Sequence, residues 1–339
     1  MKSSPVGPRY LMRWDHSTDQ RLGCDIVTTK HRIGELSDFS DDGLADILDR
    51  YPRRAIRVYT MGDNPSYPNQ LQSGLVGRSA GADLIDMVRR GRLLIQLCNF
   101  AENHKRLDSI TRRLRSELVE CQPGLRIHHG DGSLEISSPR AMSYLQCNQS
   151  PTVLWQIRGS KKTWVYPQAD PMQSRRRLCS YEPQLEDTAS QITQHATDMI
   201  GVPHFTPYRT VNDNSLNVCL RTRFHTDQSK RLSESRSAYH LLNRLLPWKQ
   251  SKSTRGIGAT AKRELGRLLQ SRCSQTSLHD GNKMEPSFRV HPDAPNCVGP
   301  LDEKLLEVKP KIESTVLPPL SSTGRLFSTT TLANAASEN

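Results

Sequence analysis

From about residue 125 the hydrophobic pattern changes period, and that change restricts the fold more than any other feature of the chain. "SLEISSP", "MSYLQC", "TVLWQIRG" and "KTWVYP" are short segments of strand character, broken by Gly, Pro and Ser. "SLNVCLRT" (215–222) adds a further alternating strand, whereas residues 178–200 are polar and weakly patterned. Many short strands with turn residues between them call for a barrel or a double-stranded helix of strands.

Helices precede this block. In "FSDDGLADILDRYP" Ser40 is placed to cap, Asp41 and Asp42 favour the positive first turn, and Phe39 staples onto Leu44. "RAIRVYTMG" (54–62) reads as a strand with Ile56 and Val58 on one face. "SAGADLIDMVRRG" is a second capped helix with Gly91 in the C′ position, and "RLLIQLCNF" is the strand after it. Apolar residues at 107, 110, 114 and 118 mark a third helix, stopped by Pro123-Gly124. After the strands, "QSKRLSESRSAYHLLNRLLP" is helical and ends at Pro247. A Lys/Ser/Gly-rich linker (249–259) and a short helix, "AKRELGRLLQ", follow. Helices, then short strands, then helices argue an α+β fold with the barrel at its centre.

Composition narrows the function classes. Hydrophobic residues make up 35% of the 339, which suggests a folded body with polar extensions. No apolar run approaches the ~20 residues that span a bilayer, and the N-terminus has no apolar signal core. The eight cysteines (24, 98, 121, 147, 179, 219, 273, 297) contain no C-x-x-C pair and read as reduced thiols of a cytoplasmic protein. The net charge of +12 is concentrated: Arg209 to Arg272 holds fourteen Lys/Arg against four Asp/Glu. That segment suits nucleic acid or another acidic partner, although it carries neither aromatic interleaving nor a helix-turn-helix pattern.

"SPTVLWQIRGSKKTWVYP" (150–167) and "VPHFTPYRTVNDNSLNVCL" (202–220) together resemble the bacterial cupin-like proteins related to JmjC-type 2-oxoglutarate/Fe(II) oxygenases. "FSDDGLADILDRYPRRAIRVYTMG" is similar to that group's opening segment, and "FRVHPDAPNCVG" to its tail motif. The resemblance implies a cupin-like double-stranded β-helix, a jelly-roll barrel, with N-terminal and C-terminal helices. It divides the chain into an N-terminal extension (1–34), the cupin-like/JmjC-like domain (35–247), a basic linker with short helix and tail motif (248–300), and a disordered tail (301–339).

Active members of the superfamily hold Fe(II) with His-x-Asp on one strand and a second His on a later one, leaving positions open for 2-oxoglutarate and O2. Here the resemblance sets Gln146, Asn148 and Tyr208 at those three places. Amides are weak neutral ligands, and a phenol with a pKa near ~10 stays protonated at neutral pH. No catalytic residue is therefore assigned. Thr152 is the polar wall residue, Lys161 falls at the spacing of the lysine that pairs with the far carboxylate of 2-oxoglutarate, and Asn217 takes a polar position nearby. Lys161 also reads as an exposed lysine of the "GSKK" turn. His128, His129 and His204, with Cys147, are the donors available for a rebuilt metal site. Trp155, Trp164 and Tyr166 read as core and rim aromatics.

Three functions remain open on the sequence. The first is a barrel without a competent iron site, acting as a binding or regulatory module for an unknown protein or small-anion ligand, with no cofactor. The second is an active dioxygenase using Fe(II) and 2-oxoglutarate. The third is a nucleic-acid-associated regulator working through residues 209–272.

Overall fold

The computed structural model describes residues 9–14, 21–245 and 284–301. α1 (Asp41–Arg50) begins where its sequence signal lies: Ser40 Oγ accepts from the Gly43 N–H at 3.1 Å, and Phe39 and Leu44 are both buried. α2 (Gly81–Arg90) packs on α1 and borrows its cap from it, since Asp49 Oδ1 accepts from the Gly81 N–H at 2.7 Å. Gly91 departs from expectation. It closes α2 in an extended conformation, φ −93°, instead of the left-handed one. Glycine is required because a Cβ there would lie 2.5 Å from the Asn296 carbonyl oxygen. A short α3 (Phe100–Asn103) leads into α4 (Lys105–Cys121), which buries Leu107, Ile110, Leu114 and Leu118 as its periodicity predicts.

Fifteen strands are described: β1 (Leu11–Arg13), β2 (Val27–His31), β3 (Ile56–Thr60), β4 (Gln72–Leu75), β5 (Leu93–Cys98), β6 (Gly130–Ser137), β7 (Gln146–Cys147), β8 (Thr152–Arg158), β9 (Lys161–Val165), β10 (Ser190–Gln194), β11 (Asp198–Val202), β12 (Pro207–Asn212), β13 (Asn217–Phe224), β14 (Pro286–Val290) and β15 (Val298–Pro300). They form two sheets. The larger runs β1-β2-β11-β8-β13-β6-β5-β3-β4-β14-β15 and the smaller β10-β9-β12-β7. Within them, β6-β13-β8-β11 and β7-β12-β9-β10 are two antiparallel four-stranded layers with the interleaved order of a jelly roll. Leu154, Ile200, Val202 and Cys219 of the large sheet meet Val165 and Tyr208 of the small one in a single buried cluster, so the layers close on each other. The fold is α+β, with a double-stranded β-helix at its centre.

Side-chain alternation assigns the two faces of the large sheet. Val153, Trp155, Leu134, Ile136, Val218, Leu220 and Phe224 point outward into the main core with α1, α2 and α4. Cys219, Arg221 and Glu135, at the alternate positions, point into the barrel. Trp155 is fully buried, its Nε1 donating to Thr222 Oγ1 at 3.0 Å.

Two segments contribute more than their sequence suggests. Residues 11–31, read as an extension, supply β1 and β2, and buried Glu117 of α4 accepts from the Tyr10 and Leu11 N–H groups. The polar region 178–200 holds β10 and most of β11. β10 is an edge strand with mostly exposed residues, and β11 is buried on both faces, so neither alternates. The tail motif forms β14 and β15 at the far end of the large sheet.

A one-turn α5 (Arg175–Leu178) precedes β10, and α6 (Asp227–Leu245) follows β13. Along α6, Ser233 Oγ donates to Gln149 Oε1 at 2.8 Å, and Arg236 donates to the carbonyls of Pro171 and Gln173. The linker expected at 249–259, the helix expected at 261–270 and residues 302–339 lie outside the described residues, as does all of the basic segment beyond 245. Among the described residues no helix is long and apolar enough to cross a membrane.

Candidate functional site

β7 and β12 create the site by pairing. Tyr208 sits directly across from Gln146, and Pro207 across from Cys147. Gln146 and Asn148 lie two residues apart, so both look into the barrel while Cys147 looks out. Burial pushes the Cys147 thiol up to about 12. Gln146, Asn148 and Tyr208 are thus brought together, and they hydrogen-bond to one another. Asn148 Nδ2 donates to Thr152 Oγ1 at 3.0 Å and to Tyr208 Oη at 3.3 Å, and Tyr208 Oη donates to Gln146 Oε1 at 3.5 Å. Burial holds the Tyr208 phenol above its ordinary range, so it stays protonated and donates.

Beside this cluster stands an ion pair that sequence reasoning missed. Arg221 NH1 donates to Gln146 Oε1 at 3.1 Å, and NH2 lies 2.8 Å from Glu135 Oε1 and 3.1 Å from Oε2. Gln96 Nε2 donates to the same carboxylate at 3.1 Å. Burial works against the Arg221 charge, but Glu135 more than offsets it and the guanidinium is held above its ordinary pKa. "VCLRTRF" does alternate, which was the available signal. An arginine on the polar side of an alternating strand reads as solvent-facing until a second sheet closes over it.

Lys161 opens β9 just after the turn at Gly159-Ser160, where Gly159 has φ +73°. It is not the exposed turn lysine: only 4% of it is accessible, and its Nζ lies 3.1 Å from Cys219 Sγ. No carboxylate among the described residues pairs with it. Burial pushes the Cys219 thiol up, so the ammonium faces a neutral group. Arg221 Nε is likewise buried without an acceptor. The barrel interior therefore carries cationic donors in excess of its acceptors.

Asn217 lies apart from these groups. Its Oδ1 accepts from Gln156 Nε2 at 2.8 Å and its Nδ2 donates to the Ser160 carbonyl at 2.9 Å, which ties β13 to the β8–β9 turn. Trp164 and Tyr166 are on the outer side of the small sheet, where Arg209 lies 3.8 Å over the Trp164 ring and pairs with Glu186. The candidate histidines are scattered: His128 Nε2 lies 2.5 Å from Asp227, His204 Nδ1 2.7 Å from the Gly23 carbonyl, and the His129 carbonyl accepts from the His225 N–H. Among the described residues no three His, Cys, Asp or Glu side chains gather as a metal requires.

The residues present do not fit Fe(II). Two amides and a protonated phenol supply neither an imidazole nor a carboxylate, and the nearby carboxylate, Glu135, is committed to a guanidinium. What the arrangement does offer is a set of N–H donors, two of them cationic, around a polar interior.

No protein-family model matches the chain, and no curated protein matches it. Among solved structures it is similar to the Escherichia coli ribosomal oxygenase YcfD, with 14% identity over 79% of this chain and 69% of that one, and a TM-score of 0.46. A form of YcfD in complex with cobalt and 2-oxoglutarate gives 13% identity over 79% and 68%, with a TM-score of 0.47. An RmlC-like cupin from Shewanella frigidimarina gives 11% identity over 39% and 75%, with a TM-score of 0.23.

Proposed function

We propose that the chain is a barrel of 2-oxoglutarate-oxygenase lineage that does not use iron and acts as a binding module for a small carboxylate anion. The observation that carries this reading is the mutual hydrogen bonding of Gln146, Asn148, Thr152 and Tyr208, neutral groups that offer a metal no imidazole and no carboxylate. The jelly-roll strand order and the pairing of Tyr208 with Gln146 support the lineage. Anion binding is supported by Lys161, whose Nζ meets a thiol and no carboxylate, and by Arg221 Nε, which is buried without an acceptor. A buried cation with no counter-charge is unfavourable, and a bound carboxylate relieves it.

The test uses purified full-length protein with 2-oxoglutarate and succinate as probes. Calorimetry is expected to show saturable binding that EDTA does not change and that Lys161→Met weakens at least tenfold. Incubation with Fe(II), 2-oxoglutarate and O2 is expected to yield no succinate. Stoichiometric iron, or turnover of 2-oxoglutarate, would sink the proposal.

A further inference from the structure

We infer that Arg221, fixed by Glu135, is the cation this barrel carries in place of a metal ion, and that it excludes a metal independently of the three altered ligands. The inference rests on the reading of Gln146, Asn148 and Tyr208 as the metal-ligand positions.

Arg221 arises from β13, whose alternate residues Cys219 and Arg221 face the small sheet. Its NH1 donates to Gln146, the residue at the first ligand position, in the sense in which a metal draws a ligand lone pair. Its NH2 takes both carboxylate oxygens of Glu135, and Gln96 anchors that carboxylate from β5. A planar guanidinium held by two carboxylate oxygens and an amide oxygen has a fixed position. It is not free to swing aside when a metal approaches.

Charge and donor geometry then couple the substitutions. An imidazole at position 146 would face an N–H donor and a positive charge, both of which disfavour metal coordination. The neutral amides at 146 and 148 and the phenol at 208 suit an interior that already holds its cation. Arg221 therefore determines specificity: it sets the barrel for an organic anion against a metal.

Two rebuilt proteins test this. The first carries Gln146→His, Asn148→Asp and Tyr208→His. The second adds Arg221→Gln and Glu135→Gln, which removes both charges at near-constant volume. Each is titrated with Co(II), read by calorimetry and by the visible absorption of the bound ion. The second protein is expected to bind one equivalent at least 100-fold more tightly than the first. Equal, tight binding by both overturns the role of Arg221 and leaves the ligand positions standing. Binding by neither, in folded proteins, overturns the ligand positions and the inference with them.

A further variant needs no rebuilt site. Gln146→Glu places a second carboxylate on Arg221 NH1, and Tm is expected to stay within about 3 °C of the parent. In the Arg221→Gln, Glu135→Gln background the same change is expected to lower Tm by about 10 °C. Equal losses in both backgrounds contradict the inference even if the metal-binding variants do not fold.

Discussion

Replacing Lys161 with methionine is expected to stabilise the protein in the absence of ligand and to weaken its response to carboxylate anions. The side chain is 4% accessible, its ammonium meets only the Cys219 sulfur at 3.1 Å, and no described carboxylate balances it. Methionine keeps an unbranched apolar stem of similar length and removes the charge. Leaving a buried polar group without full compensation costs about 1–3 kcal/mol in proteins, and more when it is charged. Methionine at 161 is thus expected to raise stability by about 1–3 kcal/mol. For a domain of this size that corresponds to a rise in Tm of roughly 2–10 °C. Adding succinate or 2-oxoglutarate should narrow that gap. A ligand at 100 times the parent's Kd stabilises the parent by about 2.7 kcal/mol, and a variant that binds tenfold more weakly by about 1.4 kcal/mol. Differential scanning calorimetry of both proteins, with and without each dicarboxylate, reads all four values. A lower Tm for Lys161→Met in ligand-free buffer would refute the reasoning, because the ammonium would then be compensated within the fold.

Two further outcomes follow from single residues. His31 is fully buried against Trp155 with its Nε2 unpartnered, and burial lowers its pKa from 6.5 to about 4. The unfolded chain takes up this proton near pH 6.5 while the fold refuses it. The contribution is whole above that pH and falls by about 3 kcal/mol as the pH drops to 4. Urea unfolding between pH 7 and 4.5 should show that slope, and His31→Gln should flatten it; an unchanged slope in the variant assigns the effect elsewhere. Gly159→Ala is expected to cost about 2 kcal/mol or more, since φ is +73° and a Cβ would lie 2.5 Å from the Leu216 carbonyl oxygen. Gly77, with φ +61° and open space around its Cβ, is the control, with an expected loss of about 1 kcal/mol. Equal losses at both positions would show that strain alone, and not the clash at the β8–β9 turn, decides the cost.

Local signals made the outer parts of the fold legible. α1 and α4 follow from a cap, a staple and four apolar positions, because a helix is specified by neighbours within a few residues. β6, β8, β9 and β13 follow from alternation and intervening turns for the same reason. Two strands escaped: β10 is an exposed edge, and β11 is apolar on both faces, so neither shows a period of two. Gly91 was placed at the correct helix end with the wrong conformation, since the backbone that demands glycine there lies two hundred residues away in β15's approach.

The composition of the site shows the same division. By itself the sequence determined that Gln146, Asn148 and Tyr208 are neutral side chains, and its family resemblance proposed them for the three ligand positions. Only the tertiary structure decided what surrounds them. It turned Lys161 inward against a thiol, kept Asn217 as a strut of the β8–β9 turn, and brought Arg221 and Glu135 from β13 and β6 to the edge of β7. The reason is physical. Residue type and spacing fix chemistry and local direction, whereas the side of a strand that becomes an interior is set only when a second sheet closes over it.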